Sequence, residues 1–274
     1  MRGRGSRSTI SSASTRRCIA TSNFARLVRL PNGLLAATGV FIGARGAGVM
    51  WSPSILSAGL AAICLAMVAN AFNDYDDREI DAIIHPTRPL PSGAVTPRAA
   101  LRAVGVAALG GVGLSVLARP ILGVVSIVVV GLMLLYSRIK SQWGVIGNGM
   151  VAVLGSMPFL YGAWAVGKPT AGMVLLGVAA PLHFAREIQK DIDDMDGDRG
   201  RRRTLPLVAG VTVSIVVAVA ATAVFIGAWI ALMGTRWITW PAVLLAMAAA
   251  YWGMPAIYKI AMAVAMITYY VSRP

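Results

Sequence analysis

An all-α fold is predicted: a polytopic membrane helix bundle of about nine transmembrane helices, in two pseudo-repeats around a central cavity. Three observations carry this. Of 274 residues, 57% are hydrophobic and only 13% charged, with a mean hydropathy of +0.71; a soluble domain holds about a quarter charged residues. The apolar residues come in blocks of about 17–25, the length that crosses a bilayer core. Two acidic clusters also recur at matching places, each closing an apolar block.

In chain order, residues 1–23 read as a basic, disordered tail, rich in Arg and Ser and free of acids. That composition suits an organellar transit peptide, a cytoplasmic tail or an over-extended start. It contains no apolar h-region, so it is not a secretory signal. Residues 24–274 read as the transmembrane domain. Its spans are expected at 30–49, 54–73, 99–118, 121–137, 144–166, 170–188, 207–233, 238–255 and 257–272. Glycine and proline inside them are tolerated, as in other membrane helices. Trp240-Pro241 and Met254-Pro255 interrupt the last two, where one kinked helix would replace two. Span two ends in the first acidic cluster and span six in the second. A basic, proline-containing loop follows each, Arg88-Pro89-Leu90-Pro91 and Arg203-Thr204-Leu205-Pro206. Hence the two pseudo-repeats.

The net charge of +14 suits nucleic acid or loops that obey the positive-inside rule. The second reading is preferred, because the basic residues fall in alternate loops. One set holds the N-terminus, Arg78, Arg88, Arg98, Arg102, Arg138, Lys140, Arg186, Lys190, Arg199 and Arg201-Arg202-Arg203. The opposite set holds little beyond Arg45, Arg119, Lys168 and Arg236. The first set marks the cytoplasmic side, and both acidic clusters fall on it. The expected location is a plasma membrane, with the site facing the cytoplasm and no nucleic-acid partner. Cys18 and Cys64 imply no disulfide framework.

Asn73, Asp77 and Asp81 stand at i, i+4 and i+8, one face of a helix, with Asp74, Asp76 and Glu79 off that face. Glu187, Asp191, Asp194 and Asp198 stand at i, i+4, i+7 and i+11 and make a second stripe. Like charges so spaced repel, so each stripe calls for a cation. Magnesium takes one or two carboxylates, waters and phosphate oxygens. The expected metal ligands are Asn73, Asp77, Asp81, Asp191, Asp194 and Asp198, around one diphosphate. Arg78, Arg88, Lys140, Arg186 and Lys190 are the expected phosphate contacts. The alternative is that the acids are solvated loop charges neutralising nearby arginines. A calcium loop is excluded by the spacing. A transporter would place its ionisable residues nearer mid-membrane than these. Tyr136 would line the cavity or meet phosphate, the alternative being an aromatic belt. His85 and His183 read as structural.

At these residues the chain resembles the UbiA superfamily of intramembrane prenyltransferases. Its N-D-x-x-D-x-x-x-D signature is matched by Asn73, Asp74, Asp77 and Asp81. Its second, lysine-preceded signature is matched by Lys190, Asp191, Asp194 and Asp198. Smaller matches are Arg29-Leu30-Pro31-Asn32, the run from Arg88 to Gly93, Tyr136 with Lys140, and Gly147-Asn148. The stretch from Arg186 to Arg199 looks most like the digeranylgeranylglyceryl phosphate synthases. Arg201-Arg202-Arg203 departs from relatives as a more basic loop. The resemblance implies magnesium-dependent ionisation of a prenyl diphosphate, geranylgeranyl diphosphate by subfamily, with Asp77, Asp194 and Lys140 at the centre and Asn148 beside the diphosphate. The developing allylic cation would be attacked by the hydroxyl of a geranylgeranylglyceryl phosphate-like lipid. The nearest alternative is an aromatic acceptor of quinone, tocopherol or chlorophyll type.

Overall fold

The computed structural model describes residues 23–272. The tail drawn over 1–23 therefore lies outside the described residues, save for its last position. Among the described residues there is no strand. The helices are α1 (Leu30–Gly46), α2 (Pro53–Asp76), α3 (Arg78–Ile84), α4 (Pro97–Ala118), α5 (Pro120–Gln142) and α6 (Gly144–Ala165). They continue as α7 (Pro169–Asp193), α8 (Met195–Asp198), α9 (Leu205–Ala209), α10 (Val211–Met233), α11 (Trp240–Trp252) and α12 (Pro255–Ser272).

The helix boundaries follow local chemistry. Proline sits in the first turn of α1, α2, α4, α5, α7 and α11, where its missing N–H leaves no bond unmade. The Ser52 and Thr96 side chains cap α2 and α4 by accepting from the Ile55 and Ala99 amides, each at 3.2 Å. Gly253, at φ 63, ends α11 in the left-handed region, so the chain turns there into α12 rather than bending as one kinked helix. Gly210, at φ 88, likewise divides the span drawn over 207–233 into α9 and α10. Hydropathy does not register such a break, because glycine there is neither charged nor polar.

The nine longer helices among the described residues match the nine drawn spans in order. Six of them, α2, α4, α6, α7, α10 and α12, are long and apolar enough to cross a membrane. Shorter apolar stretches, Pro120–Tyr136 and Trp237–Trp252, cover α5 and α11, and α1 has 17 residues. Leu109, Leu117, Val216 and Val224 stand exposed on α4 and α10. A soluble protein rarely exposes so large an apolar belt; hydrocarbon is its matching solvent.

Neighbours repeat between the halves. α1 packs on α2 and α2 on α4; α6 packs on α7 and α7 on α10. The halves meet where α1 crosses α6. A Cβ on Gly43 would run into the Phe159 carbonyl, and a Cβ on Gly162 into the Val40 carbonyl. The contact is reciprocal: each glycine lies three residues beyond the carbonyl its partner touches. Small residues of this kind let membrane helices approach backbone to backbone. Away from the acidic ends, Ser126 bonds Ser115 at 2.8 Å and Tyr161 at 2.7 Å, tying α4, α5 and α6 with buried hydroxyls.

The crossing sets an expected outcome. Gly43→Ala and Gly162→Ala each lower stability by about 1–3 kcal/mol through overpacking, measured as unfolding in detergent. Gly177→Ala, with nothing within 4 Å of the added carbon, serves as the control that costs nothing of the kind.

Candidate active site

Both acidic stripes sit where a long helix hands over to a short one. Asp77 joins α2 to α3 with φ −81 and ψ 1; Asp194 joins α7 to α8 with φ −88 and ψ 3. The two junctions share one backbone geometry. Helical hydrogen bonding runs through them, Asp81 N to Asp77 O at 2.8 Å and Asp198 N to Asp194 O at 3.1 Å. The i, i+4 spacing read from the sequence therefore holds across each break.

The structure gives nearly every buried acid its own cation. Asp81 is buried and accepts from Arg88 Nη1 at 2.5 Å. Asp191 is buried between Lys140 Nζ at 3.0 Å and Asn148 Nδ2 at 2.6 Å. Gly147 makes this possible: a side chain there would collide with Lys140, at 2.9 Å from its Cα. Tyr136 lies beneath the same lysine, with Nζ 5.9 Å from the ring centre. Asn73 Nδ2 donates to Asp77 Oδ2 at 3.2 Å. Glu187 pairs with Arg186 at 2.5 Å, and Asp74, off the working face, is buried against Arg29 at 2.5 Å. Asp76 and Glu79 are exposed. Arg78 spends its guanidinium on the Tyr75 carbonyl and Glu79, stacked over the Tyr75 ring at 4.7 Å. Lys190 and Asp194 have no ion pair within 4 Å among the described residues.

The residue that joins the clusters is Arg202, read from the sequence only as part of a basic run. Its Nη2 meets Asp77 Oδ1, and its Nη1 meets Asp198 Oδ1 at 3.4 Å. One guanidinium thus spans the first stripe and the second. Its i+4 spacing from Asp198 was a usable signal; its contact with Asp77, 125 residues away, was not. The loop carrying Arg202 is held close because Gly144, opening α6, has no side chain to strike the Arg203 carbonyl. Burial pushes the Asp77 and Asp198 carboxyls above their usual range, and Arg202 pulls both back. Burial works against the Arg202 charge, but Asp77 and Asp198 more than offset it and hold its pKa above the ordinary value.

Among the described residues no three His, Cys, Asp or Glu side chains stand together as a ready metal cage. The donor set still fits a magnesium ion, which needs only one or two carboxylates beside phosphate oxygens and water. Two buried acceptor atoms, Asp198 Oδ2 and Asn148 Oδ1, have no partner. Unmet acceptors at this depth suit a cation or a donor from a ligand.

Within the bundle lies a small apolar cavity of about 50 Å³, lined by Ile42, Phe159, Leu182, His183, Trp229 and Met266 among others. His183 stands one helical turn before Glu187, so α7 connects the cavity wall to the second cluster. His85 is exposed.

The pattern of the UbiA prenyltransferase family matches residues 33–265. A digeranylgeranylglyceryl phosphate synthase of Halobacterium salinarum is 43% identical over 189 residues, covering 67% of this chain and 68% of that protein. Its counterpart in Natronomonas pharaonis is 43% identical over 196 residues, 70% of each chain. A solved structure of a UbiA homologue from Aeropyrum pernix superposes with a TM-score of 0.76 at 19% identity, over 87% of this chain and 96% of that one. A UbiA homologue from Archaeoglobus fulgidus, bound to GPP and Mg2+, superposes at 0.63 and 16% identity, over 91% and 98%.

Removing Arg202 takes the shared cation from buried Asp198 and part-buried Asp77. Arg202→Gln is expected to destabilise the ligand-free protein by about 3 kcal/mol, the low end for breaking a buried pair. Adding Asp77→Asn to it should recover part of that loss, read as non-additive shifts in a double-mutant cycle of thermal unfolding.

Proposed function

The chain belongs to the UbiA prenyltransferase family, and on that premise we propose that it makes the second ether bond of a diprenylglyceryl phosphate. A geranylgeranyl group passes from its diphosphate to the free hydroxyl of a geranylgeranylglyceryl phosphate-like lipid. The protein is an integral, multi-pass membrane prenyltransferase. The observation that carries the diphosphate site is the bridge from Asp77 to Asp198 through Arg202, which brings the two carboxylate clusters together. The 43% identity to synthases of that name supports the choice of acceptor.

Asn73, Asp77 and Asp81 on one side, and Asp191, Asp194 and Asp198 on the other, would hold magnesium. When bound, magnesium supplies positive charge at the oxygens of the leaving diphosphate. The chain does the rest by preorganised charge. Arg202, Arg88 and Lys190 turn toward the diphosphate. Lys140 stays on Asp191, which Asn148 also orients. The allylic C–O bond breaks, the acceptor oxygen bonds the freed carbon, and its proton leaves with the diphosphate. Tyr136 presents a ring face beside Lys140. The apolar side chains of the bundle, Phe159, Leu182 and Trp229 among them, give the isoprenoid tail hydrocarbon contacts and keep water from the cationic carbon. Residues 24–274 act as one catalytic unit in a plasma membrane, the mouth facing the cytoplasm.

Membranes carrying the protein, given labelled geranylgeranyl diphosphate, are expected to convert the glyceryl phosphate acceptor and to stop when EDTA removes divalent cations. Product formed only with an aromatic acceptor of quinone, tocopherol or chlorophyll type would replace this reading. Asp77→Asn and Asp194→Asn should each lower transfer by at least about 100-fold with expression intact. Full activity in either would sink the magnesium-diphosphate assignment.

A further inference from the structure

The cations at the mouth divide into two groups. One is locked into the carboxylate clusters: Arg88, Lys140 and Arg202. The other gathers around Lys259, and two of its members, Arg29 and Arg186, hold Asp74 and Glu187. Lys259, one turn into α12, is exposed, and no carboxylate lies within 4 Å of it among the described residues. Arg186, Arg29 and Lys190 all lie within electrostatic reach of it, with Glu187 the one acid in that company. Arg186 keeps its Nε buried and unpartnered, though its Nη1 is on Glu187.

Two further features mark this group as built. Arg29 is the one non-glycine residue at positive φ among the described residues, φ 49 and ψ 58. An arginine there is strained, and strain held in place points to a use for the side chain. It is held by Asp74 at 2.5 Å and by a turn in which the Asn32 amide donates to the Arg29 carbonyl at 2.8 Å. Arg29 also caps the N-terminus of α1, and Lys259 lies just inside the N-terminus of α12, which packs beside α1. Each of these helix N-termini carries positive potential of its own.

We propose that Arg29, Arg186 and Lys259 form a second anion site, one that takes the phosphomonoester of the lipid acceptor, with Lys190 at the boundary between the two sites. This rests on the acceptor class proposed above. The chemistry demands such a site. The acceptor's free hydroxyl is on the carbon next to the one bearing its phosphate, so when that oxygen reaches the allylic carbon the phosphate lies close to the leaving diphosphate. Two such anions repel, and each needs cations of its own. The unpaired lysine on α12 is where the second set is spare.

The test uses the full chain in detergent, with geranylgeranylglyceryl phosphate and its dephosphorylated alcohol as probes. Wild-type protein is expected to bind the phosphorylated probe about 10-fold or more tightly than the alcohol. Lys259→Gln should bring the two within about 3-fold, Lys259→Arg should restore the gap, and KM for geranylgeranyl diphosphate should stay put. An unchanged preference in Lys259→Gln overturns the proposal. So does an equal rise in KM for both substrates, which would give the lysine to the diphosphate. Equal protection by phosphatidylglycerol vesicles or by inorganic phosphate overturns it too, as a general anion patch. Preferential binding without transfer would leave this site standing and remove the proposed reaction instead.

Discussion

Carboxylates gathered at the end of a membrane bundle need a compensating cation, and here the protein supplies its own through Arg202. Its guanidinium lies between Asp77 and Asp198. Without it, buried Asp198 and part-buried Asp77, from opposite halves, would lose the cation they share. The bridge also sets the geometry of the mouth, since it fixes how far the α2 end stands from the α8 end. A ligand bringing magnesium would offer the same acids a stronger partner and free the guanidinium for phosphate.

The halves that carry these acids are locked by a contact of a different kind. Gly43 and Gly162 leave α1 and α6 touching through their backbones. That leaves little room for sliding at the crossing. The matching dihedrals at Asp77 and Asp194 then place the two stripes as equivalent ends of equivalent helices. Packing at mid-membrane and charge at the mouth therefore serve one arrangement. The glycines bring the halves together, and the junction acids meet above them.

Much of this was legible in the sequence, because its signals are local. Block length gave the spans, and i, i+4 spacing gave the stripes with Asn73, Asp77, Asp81, Asp191, Asp194 and Asp198. Lys140 is read as a phosphate contact beside the stripes and Asn148 through the family resemblance; the structure brings both onto Asp191. What escaped was set by long-range approach. Arg202 looked like one of three equivalent arginines until the fold brought it to Asp77. Arg29 and Lys259 lie 230 positions apart and come within electrostatic reach only because α1 packs beside α12. The break at Gly210 escaped because hydropathy measures polarity, not backbone dihedral.

The bridge also has a consequence for how the protein is made. Asp81 finds Arg88 seven residues on, and Asp74 finds Arg29 45 residues back. Both acids are neutralised as soon as the first hairpin leaves the ribosome. Asp77 must wait for Arg202, 125 residues later. Until then it stands at the end of α2 among the other acids of its cluster, without its bridging cation. Its place at the end of α2, beyond the apolar stretch, lets water serve as its partner in the interval. Arg202 follows α6 and α7 in the chain, so the two clusters can be bridged only once the second of them has been made.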